Sequence, residues 1–335
     1  MTVFVIAEIG PNHNGSLDTA VEMIRRLAET GVDAVKFQLG SPDDVYSKDA
    51  FKADYQVASE SSKTPQEMTA RHQLTRRDHV VLNDACRAAG VAYMCTAFDM
   101  GSLEFLDRSF DMPYFKVPSG EIHTLDMLEY IAAHNRPILL STGMATFGDI
   151  EAAIAVLEGN GPRDVTILHC VSNYPAPAPD VHLNVIGEIR RRFGHPVGFS
   201  DHTLGNACAI AAVALGAAVI EKHVTLDRSL PGPDHKASAT VEEFADLVSA
   251  IRTVEAALGG TEKVFSEAET GIRRAARKSI VAARDLKEGD VLTREDVCFK
   301  RPGTGISPLQ RDSVVGRRLR NAVEAGRLIR PLDLA

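Results

Sequence analysis

The chain has 335 residues, enough for one large domain and one small one. Its formal net charge of −8 argues against duplex nucleic acid as a partner, so an anionic substrate has to be met by a local cluster of Lys and Arg. No apolar run approaches the ~20 residues of a membrane span. The apolar start, residues 1–10, has no basic stretch before it and reads as a first buried strand, not a signal peptide.

Between residue 3 and about residue 258, short β-branched runs alternate with amphipathic helical runs. The strands are expected at 3–9, 34–38, 92–98, 114–117, 137–141, 165–170, 197–200 and 218–224. Helices are expected between them, at 17–30, 78–89, 126–133, 149–159, 183–193 and 207–215. Gly31, Gly90 and Gly216 follow helices, as C-terminal glycines in the left-handed conformation do. Alternating strands and helices argue for a parallel sheet, and eight strands over ~250 residues argue for a closed (β/α)8 TIM barrel. No GxGxxG follows the first strand, which weighs against a dinucleotide fold. The polar stretch 40–75 reads as a long irregular excursion on the active-site side of the barrel. The pattern changes after Gly259 and Gly260. Residues 1–260 are therefore the barrel domain, 261–275 a polar linker, and 276–335 a small β-rich module with a core too small to be secure alone.

The five cysteines, Cys86, Cys95, Cys170, Cys208 and Cys298, are odd in number and form no CxxC pair. That pattern argues against a disulfide framework and fits a reducing cytoplasm. Cys95 and Cys170 lie in apolar strands and read as small buried hydrophobes.

In such a barrel the C-terminal strand ends carry the active site. All eight expected strands end in polar groups. In chain order these are Glu8 with Asn12 and His13; Lys36 and Gln38; Thr96 and Asp99; Lys116 with Ser119, Gly120 and Glu121; Ser141 and Thr142; His169, Ser172, Asn173 and Tyr174; Ser200, Asp201 and His202; and Glu221, Lys222 and His223. Wet loops explain some of this. They do not explain lysines inside apolar strands, where an unpaired ammonium is costly. Lys36 and Lys116 therefore read as anion-binding residues, helped by Ser119, Ser141 and Thr142. Lys222 reads as pointing outward to the helical layer, because strand side chains alternate. His202 and His223, on adjacent strands at the mouth, form a candidate metal site, with His13 and His169 at the same mouth as alternatives. His72, His79, His134, His182 and His195 read as solvated.

Several strings are more specific. They are Ala7-Glu8-Ile9-Gly10 with Asn12-His13-Asn14-Gly15, Ala34-Val35-Lys36-Phe37-Gln38, Pro118-Ser119-Gly120-Glu121-Ile122, Leu140-Ser141-Thr142-Gly143-Met144, His169-Cys170 with Tyr174-Pro175, Ser200-Asp201-His202-Thr203, Glu221-Lys222-His223, Pro231-Gly232-Pro233-Asp234-His235-Lys236 and Lys300-Arg301-Pro302-Gly303. In these strings and their order, through nearly the whole chain, the sequence resembles the sialic acid synthase family. That family comprises N-acetylneuraminate synthase and relatives that make legionaminic and pseudaminic acids or spore-coat sugars. The last sixty residues resemble its antifreeze-like (SAF) domain.

The resemblance implies a transferase of carbohydrate biosynthesis that condenses phosphoenolpyruvate with N-acetylmannosamine and water, releasing phosphate. The same chemistry on 2,4-diacetamido-2,4,6-trideoxy-mannose, giving N,N′-diacetyllegionaminate, is the alternative. It implies a divalent metal, most often Mn2+ with Mg2+ or Co2+ as alternatives, held by His202 and His223. It places phosphoenolpyruvate against Lys36, Thr96, Lys116, Ser119, Gly120, Ser141 and Ser200. It places the amino sugar against Glu8, Gln38, Tyr174, Asp234 and Arg301. Glu121, Glu8 and Lys116 are the catalytic candidates. A further family contact falls at Ser172, with Asn173 one residue off. The family also implies a domain-swapped homodimer, with Arg301 reaching across the interface. Two other readings remain open at this point: a Schiff-base aldolase with Lys116 or Lys222 as nucleophile, and a non-catalytic sugar-binding protein.

Overall fold

The computed structural model describes residues 2–59, 61–159 and 161–335. They form two compact units, Met1–Gly259 and Gly260–Ala335. No described helix is long and apolar enough to cross a membrane.

The first unit is an eight-stranded parallel barrel. Its strands are β1 (Phe4–Glu8), β2 (Ala34–Leu39), β3 (Ala92–Ala97), β4 (Phe115–Val117), β5 (Ile138–Ser141), β6 (Val165–Cys170), β7 (Val197–Asp201) and β8 (Val219–Thr225). They follow one another as β3-β2-β1-β8-β7-β6-β5-β4, so first and last strands pair and the sheet nearly closes. A two-residue strand β9 (Ala239–Thr240) adds to β8. Each expected strand is present, with ends shifted by a residue or two. Gly31, Gly90 and Gly216 have φ of +80°, +74° and +88°, the left-handed turn expected after their helices.

Alternation along the strands separates two apolar layers. Val5, Val35, Phe37, Ile167, Phe199 and Ile220 face outward onto the helices. Ile6, Ala34, Met94, Leu139, Leu168 and Val219 fill the barrel interior. The interior layer is the floor of the site. One step further along seven of the strands, the same inward face carries Glu8, Lys36, Thr96, Lys116, Ser141, Ser200 and Glu221. A strand's two-residue period therefore turns an apolar floor into a polar mouth.

The excursion 40–75 is more ordered than the sequence reading expects. It contains helices Pro42–Val45, Asp54–Ser59 and Pro65–His72; Glu60 lies outside the described residues. Two of the three begin with Pro after a Ser or Thr, the arrangement that starts a helix, and the Thr64 hydroxyl accepts from the amide of Glu67. Their short lengths hide any helical period.

The second unit opens with helix Glu267–Ala276, which occupies most of the stretch read as a linker. Ser266 and Glu269 make a reciprocal capping box that starts it. The module itself holds less regular sheet than expected: β10 (Ser279–Ala282) and β11 (Val297–Lys300) pair antiparallel, and the rest is isolated bridges such as Leu286 with Val323. Its core is Ile280, Leu286, Leu292, Val314, Leu319, Val323 and Ile329.

Candidate active site

Four charged side chains meet on the inward face at the barrel mouth, all buried. Lys36 touches Glu8 and lies 3.7 Å from Oε2 of Glu221. Lys116 lies 3.5 Å from Oε1 of Glu221. Hydroxyls complete the ring: Lys36 donates to Thr96 Oγ1 at 3.0 Å, Lys116 donates to Ser141 Oγ at 2.7 Å, and Ser200 donates to Glu221 Oε1 at 3.0 Å. Two lysines and two carboxyl groups therefore share one buried site, and Oε2 of Glu221 has no hydrogen-bond donor among the described residues.

The environment sets their protonation. Burial would raise the Glu221 carboxyl, but Lys116 and Lys36 outweigh it and hold it at about 2. Burial pushes Glu8 up to about 7 against the pull of Lys36. Burial works against the Lys36 ammonium, yet Glu221 and Glu8 leave its pKa raised. For Lys116 burial wins over Glu221, and its pKa is lowered. A group poised in this way is typical of sites that move protons or bind anions.

Beside this ring stand His202 and His223, their rings 5.5 Å apart. Burial holds His202 down at about 4 despite its bond to the Val171 carbonyl, and holds His223 well below the usual range, helped by His202. Both imidazoles are thus neutral, the form that ligates metal. Nδ1–H of His202 donates to Val171 O at 2.7 Å, which fixes the tautomer and leaves a lone pair on Nε2, 3.5 Å from Ser200 Oγ. Nδ1 of His223 is buried with no hydrogen bond among the described residues, 3.7 Å from Asp234 Oδ2. The Tyr174 ring covers both, 4.1 Å from His202 and 5.5 Å from His223. These residues fit a divalent cation with two nitrogen ligands. Among the described residues no cluster of three His, Cys, Asp or Glu forms a ready-made ligand set. The remaining positions would go to water or substrate oxygen.

The turn after β4 completes one wall. Ser119 Oγ accepts from the Gly143 amide at 2.9 Å and lies 3.3 Å from Cys170 Sγ. A Cβ on Gly143 would lie 2.1 Å from Ser172 Oγ and 2.9 Å from Ser119 Oγ, so only glycine lets these turns meet. Glu121 is half-buried on the 3-10 turn Ser119–Glu121 and accepts from Thr124 Oγ1. Gly120 of that turn is exposed. On the other side, Gln38 Nε2 donates to Gly10 O at 2.9 Å and to Glu8 Oε1 at 3.2 Å. Burial and Glu8 raise Asp234 to about 7. A cleft of ≈ 260 Å³ opens from His223, Asp234, Tyr174 and Gln38.

Family comparison fits this geometry. The NeuB family model matches residues 23–263, and the SAF domain model matches 277–335. The chain belongs to the NeuB family of sialic acid synthases. It is 43% identical over 97% of its length to the N,N′-diacetyllegionaminic acid synthase of Legionella pneumophila, covering 93% of that protein. It is 39% identical to the synthase of the same name from Campylobacter jejuni, over 97% of this chain and 98% of the other. The crystal structure of N-acetylneuraminic acid synthetase from Leptospira borgpetersenii, in complex with citrate, superposes with a TM-score of 0.72 at 29% identity, covering 81% of this chain and 90% of that one.

Against this family frame, the barrel brings Glu8, Lys36, Gln38, Thr96, Lys116, Ser119, Ser141, Tyr174, Ser200, His202, His223 and Asp234 to one mouth. Arg301 lies in the second unit and is exposed. Ser172 packs against Gly143, whereas Asn173 is exposed. Three expectations about histidine change, at His169, His72 and His79, while His13 keeps its place at the mouth. His169 pairs in register with outward-facing Phe199, stacks on it, and donates to Val181 O at 2.6 Å, so it does not face the mouth. His13 lies in the cleft and packs near Phe37, held neutral by burial at about 3. His72 and His79 are buried, not solvated: amphipathic helices turn them inward, and Nδ1 of His79 is hydrogen-bonded to the Tyr93 hydroxyl at 2.7 Å. The sequence reading gave Glu221 no role, although it lies two residues before His223 and so on the same face. That spacing was the available signal.

Proposed function

We propose that the chain condenses phosphoenolpyruvate with the open-chain aldehyde of an N-acyl amino sugar and water, giving a nine-carbon 2-keto acid and phosphate. The carrying observation is that two buried lysines, paired with Glu8 and Glu221, share one mouth with two buried histidines. Lys36 and Lys116 would meet the phosphate and carboxylate of phosphoenolpyruvate, with Thr96, Ser119, Ser141, Ser200 and the Gly120 turn adding donors. Glu8, Gln38, Tyr174 and Asp234 would hold sugar hydroxyls.

A divalent cation on His202 and His223, Mn2+ before Mg2+ or Co2+, would supply Lewis acidity toward the aldehyde oxygen. The carbon–carbon bond forms between C3 of phosphoenolpyruvate and the aldehyde carbon. Water then adds at C2, and the C2–O bond breaks with phosphate as the leaving group. Glu121 or Glu221 handles the proton of that water, since a carboxylate beside C2 can act as base. In a swapped dimer, the antifreeze-like domain of the other copy would exclude water from the reacting centre.

The assembly we infer is a domain-swapped homodimer, in which Arg301 of a second copy reaches the N-acyl group. It is supported by the helix Glu267–Ala276, which buries none of its residues, with Phe265 just before it and Ile272 on it exposed at 50% and 66%. N-acetylmannosamine is one acceptor. The names of the Legionella and Campylobacter relatives favour the other, 2,4-diacetamido-2,4,6-trideoxy-mannose.

Phosphate release from phosphoenolpyruvate with Mn2+ and either sugar tests the reaction. No release with either favours a binding protein. Borohydride trapping of a covalent pyruvate adduct would favour the Schiff-base aldolase. Of Lys116 and Lys222, Lys116 is then the nucleophile candidate, since Lys222 points outward into an ion pair with Asp201.

A further inference from the structure

Seven strands bring a charged or hydroxyl side chain to the mouth; the eighth, β6, brings Cys170. Leu168 of β6 lies in the interior apolar layer, and a strand's two-residue period puts Cys170 on that same face. Cys170 pairs in register with Ser200 of β7, whose hydroxyl donates inward to Glu221. It therefore takes the place between Ser141 and Ser200 in the ring of mouth residues. The side chain is buried, yet among the described residues neither apolar layer includes it. Its reading as a small buried hydrophobe accounts for the burial and not for the place. Sγ lies 3.3 Å from Ser119 Oγ, within hydrogen-bonding reach of sulfur. Glycine keeps the wall narrow enough for that contact: a Cβ on Gly143 would lie 3.1 Å from Sγ and 2.9 Å from Ser119 Oγ.

We propose that Cys170 is a positioning residue of the anion site: its thiol donates to Ser119 Oγ and so turns the Ser119 proton toward phosphoenolpyruvate. The inference rests on the condensation reading, which sets phosphoenolpyruvate against Lys116 and Ser119. A hydroxyl oxygen has one proton and two lone pairs. The Gly143 amide already occupies one lone pair of Ser119, at 2.9 Å. A thiol proton on the other leaves the Ser119 hydroxyl free to act only as a donor, which is the role an anion needs. The reverse bond, from Ser119 to sulfur, would give that proton to a weak acceptor and turn a lone pair on the anion. Burial raises the Cys170 pKa against the pull of Ser119, Lys116 and the Thr142 amide, so the thiol keeps the proton it donates.

The test uses the full-length protein with Mn2+. Titration calorimetry gives the Kd of phosphoenolpyruvate, and phosphate release gives the KM of each substrate. Cys170→Ala should raise the Kd and KM of phosphoenolpyruvate about two- to tenfold, the range of one net hydrogen bond, and leave the KM of the sugar unchanged. A general loosening of β6 would raise both KM values, because β6 leads on to Tyr174. Cys170→Ser, which keeps a donor on a shorter stem, should stay closer to wild type than Cys170→Ala does. In a Ser119→Ala background, Cys170→Ala should weaken phosphoenolpyruvate binding no further. Equal effects with and without Ser119, or no effect in either, overturn the positioning role. The infrared S–H stretch reads the bond itself. The Cys170 band, assigned by its loss in Cys170→Ala, should move to higher frequency in Ser119→Ala, and an unmoved band overturns the thiol as donor. A wild type that neither binds phosphoenolpyruvate nor releases phosphate overturns the condensation reading instead, and the infrared band still decides the thiol bond.

Discussion

Nζ of Lys222 lies 2.7 Å from Oδ2 of Asp201, with both side chains buried behind the strands that carry His202 and His223. The two residues pair across β7 and β8. Lys222 also donates to the Thr203 carbonyl at 2.7 Å, and Asp201 Oδ1 accepts from the Thr203 amide and hydroxyl at 2.9 and 2.7 Å. Strand alternation puts this lock on the opposite face from the two histidines, one residue away from each.

Lys222→Met should therefore act on two quantities. It leaves Asp201 as a buried carboxylate without its cation, which costs roughly 3–5 kcal/mol. Adding Asp201→Asn should recover part of that loss, so urea unfolding of the single and double variants should show coupling and not additivity. Manganese affinity, followed by the free-ion EPR signal, should fall about 10–100-fold as the two strand ends lose their register. Full stability loss with unchanged affinity would make the pair a fold element only.

The histidines themselves give a sharper outcome. His202→Ala or His223→Ala should reduce manganese affinity and turnover beyond the roughly 10–100-fold that loss of an outer partner costs. Far-UV circular dichroism should be unchanged, because both rings sit at the mouth and not in the apolar floor. Retained manganese-dependent turnover in either variant would refute the ligand assignment.

Much of this arrangement was legible because a parallel barrel writes its organisation into single strands. Lys36 and Lys116 stood out as charges among Val and Phe, and the order of polar strand ends located the mouth. What escaped depends on register between strands. Alternation sends Lys222 outward and so Glu221 inward, but only the register of β8 against β7 gives their partners, Ser200 for Glu221 and Asp201 for Lys222. His169 was misplaced for the same reason, since one step along β6 changes its face. His79 was misread because a histidine on an amphipathic helix lies on either face, and its partner Tyr93 is on another element.

Those buried histidines make stability fall in mild acid. His13, His79 and His235 are buried, and burial lowers them to about 3, about 4 and about 4. In the unfolded chain each titrates near 6.5. Their contribution is complete above that value. As pH drops below it, the unfolded state takes up protons that the folded state refuses, and stability falls until the folded pKa values are reached. Unfolding near pH 5 should take up about three protons from this group. Glu8 and Asp234, raised to about 7, release protons on unfolding in the same range. The histidine share is therefore read as the change in slope of urea-unfolding free energy between pH 7 and 5 in His79→Gln, and an unchanged slope would contradict the burial.

Glu221→Gln should separate binding from chemistry. The substitution removes the negative charge between Lys36 and Lys116, so their pull on an anionic substrate increases. The KM for phosphoenolpyruvate should stay level or fall. If the carboxylate handles the proton of the attacking water, kcat should fall by about 10²–10⁴. A raised KM with intact kcat would assign Glu221 to substrate binding alone.

Arg301 tests the proposed assembly. Arg301→Ala should raise the KM of the sugar much more than that of phosphoenolpyruvate, since a guanidinium over the acyl group touches only one substrate. An equal effect on both would argue against that contact. Co-expression with His202→Ala then asks whose barrel Arg301 serves. At sugar concentrations far below the raised KM, each variant alone is nearly silent. In a swapped dimer, the mixed species holds one barrel with both histidines, capped by a domain that still has Arg301. Random pairing makes half the dimers mixed, so about a quarter of wild-type sites should return. If Arg301 serves its own barrel, no barrel in the mixture has all three residues, and activity stays at the level of the separate variants.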